Sequence, residues 1–255
     1  MTNFVTPDID WAALTPILVV MGAAVLGVLV EAFAPRSARR ATQVTITSLA
    51  LAGALVAVVW RWTVVDSDGA QEVVGGQFIE DPFTLIAQGV VLVAALLAIF
   101  VIADRTQTKE GAFAASAAAR PGSPEERELT RAGIAQTEVY PLVLFSVTGM
   151  LAFPAAGDLL TLFIALEVLS LPLYILSGMA RRKRLISQEA ALKYFLLGAF
   201  SSAFFLMGLV LLYGFSGSVR FSEVASATTQ TVGMDWLLIK CKIGRAVQQE
   251  CRDRC

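Results

Sequence analysis

Glu167 lies inside an apolar run, Leu166-Glu167-Val168-Leu169-Ser170-Leu171-Pro172. An ionisable group within a spanning helix costs at least about 2.5–3.5 kcal/mol on insertion scales, so its presence asks for a chemical reason. Counted from Leu159, where the run begins, eight residues at about 1.5 Å each put Glu167 roughly 12 Å deep, out of reach of either interface. Ser170, Tyr174 and Ser177 follow at +3, +7 and +10, within one arc of the helical wheel. Pro172 cannot donate to the carbonyl of Val168, which leaves a free acceptor beside the carboxyl. Loss of water favours the neutral form of a carboxyl, and a nearby cation favours the ionised form. A carboxyl held between those influences can load and release a proton as a neighbouring charge moves. The bland alternative is a glutamate hydrogen-bonded to the next helix as packing glue.

Lys193 is the second intramembrane charge, in Glu189-Ala190-Ala191-Leu192-Lys193-Tyr194-Phe195. It lies about one turn, roughly 5 Å, inside the end of its apolar run, where a lysine can also snorkel to the interface. Glu189 precedes it by four residues on the same face and is positioned to pair with it. Glu167 and Lys193 differ by roughly 13 Å along the membrane normal, so direct contact between them is not expected. The close basic partner of Glu167 is therefore expected elsewhere, or water bridges the gap. Glu167, Lys193 and Glu189 are the candidate proton-path residues. Glu31, near the end of the first run, reads as an interfacial anchor rather than a relay. Asp81-Pro82 reads as the cap and first residue of a helix, and Gly198, Ser202 and Gly208 as close-packing positions.

These residues need spanning helices to hold them. Hydrophobic residues make up 56% of the 255-residue chain and charged residues 16%, against roughly 25% charged in a soluble domain. Six stretches reach the length a bilayer core demands, about 13–34, 42–60, 82–103, 139–156, 159–179 and 190–214. None alternates polar and apolar residues as a membrane barrel strand would. The expected fold is all-α, a polytopic transmembrane helix bundle. The absence of histidine argues against haem or imidazole-dependent zinc sites. Basic residues fall on alternate loops. Arg36, Arg39, Arg40, Arg105, Lys109, Arg120, Arg127, Arg131 and Arg181-Arg182-Lys183-Arg184 lie on one side, and only Arg61 and Arg220 on the other. Retention of positive charge inside then places the N-terminus outside. With no basic residue before the first run, that run reads as a retained helix and not a cleaved signal. In the long loop 104–138, Ser123, Pro124 and Glu126 form a capping-box signature for a short helix ending near Gly133. That loop otherwise reads as a solvated connector.

The run Glu138-Val139-Tyr140-Pro141-Leu142, then Gly157-Asp158-Leu159 through Leu166-Glu167-Val168-Leu169-Ser170-Leu171-Pro172-Leu173-Tyr174, resembles the subunit N family of bacterial NADH:quinone oxidoreductase, respiratory complex I. So does Gln188-Glu189-Ala190-Ala191-Leu192-Lys193-Tyr194-Phe195-Leu196-Leu197-Gly198. The likeness is specific over about 138–215 and looser over 13–103, where Glu31-Ala32-Phe33 and Asp81-Pro82-Phe83 fit. The resemblance implies the first part of an antiporter-like fold of about fourteen helices. It implies a proton-pumping subunit of the membrane arm, driven by electron transfer from NADH to quinone elsewhere in the complex. The family's fifth-helix glutamate falls on Glu167 and its sixth-helix lysine on Lys193, and a lysine on a broken seventh helix is the implied partner of Glu167. No cofactor is expected in this chain; NADH, FMN, iron–sulfur clusters and quinone belong to partner subunits. Other membrane-arm subunits and the lipid bilayer are the expected partners, with no nucleic acid, in a bacterial plasma membrane. A subunit of a multisubunit cation/proton antiporter shares the same logic, and a purely structural membrane subunit is a third reading.

Residues 1–239 form the expected transmembrane domain. Residues 240–255, from Lys240-Cys241-Lys242-Ile243-Gly244-Arg245 to Cys255, depart from the family. Ile243 to Arg254 matches one reading frame of a short-read sequencing adapter, so this tail is set aside as an artefact, and its three cysteines are not read as a metal site.

Overall fold

The computed structural model describes residues 9–103, 113, 123, 124, 128, 137–180 and 184–232. The capping-box helix expected up to Gly133 lies, but for Ser123, Pro124 and Glu128, outside the described residues, as does the tail 240–255. Helix α1 spans Thr15–Phe33, α2 Arg36–Asp68, α3 Pro82–Ala103, α4 Val139–Ala155, α5 Leu159–Gly178, α6 Arg184–Ser216 and α7 Phe221–Val232. Two short strands, β1 (Gln71–Val73) and β2 (Phe78–Glu80), join α2 to α3. Five of these helices are long and apolar enough to cross a membrane, and α4 is a shorter apolar helix of 17 residues. The six expected runs all appear as helices, so the expected all-α membrane bundle holds.

Two helices extend well past their apolar runs. Helix α2 begins at Arg36, directly after Pro35, so Arg39 and Arg40 occupy its first turns instead of a loop. Its far end continues through Arg61 to Asp68, because the Arg61 guanidinium is neutralised inside the fold by Glu80 and Asp10. Arg61 is thus a buried helical residue and not the loop charge its position suggested. Helix α6 likewise begins six residues before its apolar run, at Arg184. Apolar windows detect the lipid-spanning part of a helix, and the polar turns beyond it are invisible to them.

The hairpin and α7 were not anticipated. Strands β1 and β2 pair antiparallel with Val73 opposite Phe78. Val74, Gly75 and Gly76 between them all take positive φ, which glycine adopts without strain. The Gln77 carbonyl accepts from the Gly157 N–H at 2.7 Å, and the Arg220 guanidinium donates to the Gly75 carbonyl. The hairpin thereby ties the α4–α5 junction to the α6–α7 linker at one end of the bundle. Asp81 caps α3 as expected, its carboxylate accepting from the Thr84 N–H at 2.7 Å.

Helix α4 is the hub, packing on α1, α2, α3 and α5, whereas α6 packs on α5 and α7. Val20, Leu51, Leu92, Leu144 and Leu151 form the centre of the core, each fully enclosed. The α4–α5 contact depends on Gly149. A Cβ there would overlap the Leu169 backbone nitrogen and sit 2.7 Å from the Leu169 Cα. Both obstacles are main chain and cannot swing aside. Gly149→Ala in the full-length protein is therefore expected to destabilise by about 1–3 kcal/mol, the usual cost of overpacking. Gly22→Ala, where no described residue lies within 4 Å, serves as the control and should be neutral or mildly stabilising. Thermal unfolding of the two variants in detergent compares them; equal midpoints would show that α4 and α5 separate freely.

Candidate functional site: the α5–α6 interface

Helix α5 starts at Asp158, whose carboxylate accepts from the Thr161 N–H at 2.6 Å. The helix continues unbroken through Pro172. On the α4 side, the Ser146 hydroxyl donates to the Leu169 carbonyl at 3.0 Å, next to the Val168 carbonyl that Pro172 leaves unserved.

The opposite side of α5 meets α6. Phe163 stacks with Phe205 at 6.2 Å between ring centroids, and Tyr174 meets Tyr194 edge-on at 4.6 Å and Phe195 at 5.9 Å. Further along, the Ser187 hydroxyl donates to the Ser177 carbonyl. Phe163, Glu167, Ser170, Tyr174 and Ser177 step by four and three residues, so Glu167 and Ser170 share the arc that Phe163 and Tyr174 define. The pairing of 163 with 205 and of 174 with 194–195 also shows that α5 and α6 run antiparallel. Glu167 therefore lies opposite the Gly198–Phe205 stretch of α6.

Gly198 has a specific task there. A Cβ at this position would overlap the Tyr174 hydroxyl and ring, so the glycine makes room for the tyrosine against α6. Tyr174 is 9% exposed in consequence. The close-packing role expected of Gly198 is met, with a residue on the Glu167 stripe as its beneficiary, whereas at Gly208, given the same role, no described residue lies within 4 Å of an added Cβ.

Glu167 is half-buried, and its Oε1 atom is enclosed with no hydrogen-bond partner among the described residues. Ser170 does not supply one, because its hydroxyl donates to the Glu167 main-chain carbonyl at 3.3 Å. The stripe below is equally committed to main chain, with the Ser177 hydroxyl on the Tyr174 carbonyl at 2.8 Å. An enclosed carboxylate oxygen without a donor carries a desolvation cost of about 1–3 kcal/mol or more, so it is a place where a proton, a water or a cationic side chain is wanted.

Lys193 and Glu189 stand apart from it. Their side chains meet at 2.5 Å, as the four-residue spacing predicts, with 68% and 62% of their surfaces exposed. Lys193 adjoins Tyr194 and so sits level with Tyr174, seven residues or roughly 10 Å along the axis from Glu167. Among the described residues, no hydrogen bond or ion pair joins Glu167 to Lys193 or Glu189. The absence of direct contact expected from their depths is observed.

Glu31 differs from its expected role. It lies near the end of α1, but its side chain turns inward and is only 18% exposed. Its carboxylate accepts from the Thr137 hydroxyl at 2.6 Å, Arg39 at 3.2 Å and the Gln43 amide at 3.3 Å. The signal in the sequence was Gln43 and Thr47, two polar residues one turn apart in the next apolar segment. Among the described residues, no group of three or more His, Cys, Asp or Glu side chains is arranged to hold a metal ion.

Residues 156–246 match the family described as "NADH:quinone oxidoreductase/Mrp antiporter, TM". The NADH-quinone oxidoreductase subunit N of Beutenbergia cavernae is 61% identical over 244 residues, covering 93% of this chain and 46% of that protein. The chain thus spans just under half the length of this curated relative. Among solved structures, a chain of respiratory complex I from Thermus thermophilus with bound aureothin is 28% identical with a TM-score of 0.58, over 80% of this chain and 38% of that one. A chain of the Mrp complex from Dietzia sp. is 20% identical with a TM-score of 0.60, over 87% of this chain and 40% of that one, and shows the shared fold. Over nine-tenths of its residues, this chain is therefore a homologue of the NADH-quinone oxidoreductase subunit N proteins, with the multi-pass antiporter-like membrane fold.

Proposed function

We propose that this chain is part of a proton-translocating membrane-arm subunit of NADH:quinone oxidoreductase. Electron transfer from NADH to quinone takes place in partner subunits, and this chain carries no redox centre. The observation that supports the reading is Glu167, whose Oε1 is enclosed without a hydrogen-bond donor among the described residues, on the α6-facing stripe of an apolar helix. Glu167 exchanges the proton. Lys193 and Glu189, paired at the arginine-rich end of α6, form the charged mouth of its path, and Tyr174 and Ser170 line the stretch between. The end bearing Arg39, Arg40 and the 181–184 cluster faces the cytoplasm of the bacterial plasma membrane, and the hairpin faces outward. Residues 1–239 are assigned to the transmembrane domain and 240–255 to foreign sequence; the family match runs on to residue 246, and a long read of the gene from genomic DNA tests where the family sequence stops.

A subunit of a multisubunit cation/proton antiporter is the competing reading, supported by the fold shared with the Mrp chain. Complementation with the full-length gene in a deletion strain separates the two. Restored NADH-driven proton translocation, and co-purification with peripheral redox subunits, are expected. Restored salt tolerance without either would establish the antiporter instead.

A further inference from the structure

Gln43 and Thr47 lie on the inner stripe of α2, and each is 0% exposed. Both carry a polar atom with no partner among the described residues, Gln43 Oε1 and Thr47 Oγ1. Turning the Gln43 amide over does not relieve this. Its Nε2 donates to the Gly27 carbonyl at 2.7 Å and to the Glu31 carboxylate at 3.3 Å, and both of those groups only accept. The opposite orientation would set the amide oxygen against two acceptors, so Oε1 is fixed facing the core.

The same stripe continues with Leu51, Ala54 and Val58, all buried. It therefore reads polar for one turn beyond Glu31 and then becomes dry. Thr42 and Thr45, on the exposed side of the same helix, return their hydroxyls to the main chain at 3.0 Å and 2.9 Å. Thr47 does not. The Cβ atoms of residues four apart on one helix face stand about 5–6 Å apart, so the two orphaned atoms belong to adjacent turns of one buried stripe. More than about 90% of buried polar groups in native proteins find a partner, protein or water.

We propose that a water molecule is bound between Gln43 Oε1 and Thr47 Oγ1, as the inner end of a closed hydrated site headed by Glu31. The water donates to Gln43 Oε1 and accepts from the Thr47 hydroxyl. Gln43 links it to Glu31, and Thr137 and Arg39 hold the other lone pairs of that carboxylate. The site is distinct from Glu167, lies among α1, α2 and the start of α4, and ends at Leu51. It stabilises the junction of three helices and does not cross the membrane.

Thr47→Val gives a sign test, because valine keeps the shape and removes the hydroxyl. If the pair is dry, the variant loses an unpartnered buried hydroxyl and becomes more stable. If a water bridges them, the variant strands that water or leaves Gln43 without it, and stability falls. For the full-length protein in its complex we expect the thermal midpoint to drop, the sign that loss of a hydrogen bond produces. A density map of the wild-type complex that resolves ordered solvent elsewhere in the subunit should show a peak within hydrogen-bond distance of both atoms. Either an empty map at that place or a raised midpoint for Thr47→Val overturns the proposal.

Discussion

Glu167→Gln in the full-length protein is expected to leave the complex assembled and cut proton translocation by about 10²-fold or more, the lower range for losing a positioned acid–base group. Glutamine matches glutamate in volume and keeps a carbonyl oxygen at the enclosed Oε1 position, so the α5–α6 contact around Phe163 and Tyr174 stays intact. What disappears is the ability to change protonation state. The comparison variants give the result its meaning. Ser170→Ala removes a hydroxyl committed to the main chain and should be nearly silent. Glu189→Gln removes half of a pair that is more than 60% exposed, worth at most about 1 kcal/mol as a surface ion pair, so any effect on translocation measures its place in the proton path. NADH-driven acidification of inverted vesicles reads all three. Normal assembly with unchanged translocation in Glu167→Gln would return that residue to helix packing and leave this chain a structural role.

Much of the fold was legible because lipid imposes a simple length rule. The runs expected at 82–103 and 159–179 match α3 and α5 to within a residue, since each is flanked by a clear stop, Asp81-Pro82 on one and Asp158 on the other. The errors share one cause. Arg61 and the first turns of α2 and α6 are charged, and charge was read as loop because hydropathy treats each residue alone. In the fold Arg61 is inside a helix because Glu80, 19 positions later, meets it there. The hairpin fails the same way, being too short for a hydropathy window, although Gly75-Gly76 between Val73-Val74 and Phe78-Ile79 was a turn signal in its own right. For the site, spacing alone placed Glu167, Ser170, Tyr174 and Ser177 on one stripe and paired Glu189 with Lys193. Spacing could not show that Glu31 turns inward, because its partners come from elsewhere in the chain, Gln43 from α2 and Thr137 from the segment just before α4.

Arg61→Met is expected to destabilise the full-length protein by about 3–5 kcal/mol, as large an effect as any single change outside the core should have. The guanidinium donates to both oxygens of Glu80, through Nε at 2.9 Å and 3.2 Å and also through its Nη2, and that same nitrogen lies 3.4 Å from Asp10. The side chains of Arg61 and Glu80 are only 5% and 6% exposed. Asp10, at 41%, can return to water when the arginine is lost, but Glu80 cannot, because the β2 strand holds it against α2. The cost is thus an ionised carboxylate stranded in the fold, and removing that carboxylate should reverse it. The double variant Arg61→Met/Glu80→Met is expected to recover most of the lost stability, since a buried ion pair and a well-packed apolar pair are of similar worth. Thermal unfolding of the single and double variants gives the coupling directly. A double variant as unstable as Arg61→Met would mean that Arg61 acts through its contact with Asp10 and the N-terminal segment, and that the Gly157 N–H on the Gln77 carbonyl and Arg220 on the Gly75 carbonyl hold the hairpin to the bundle without the Glu80 pair.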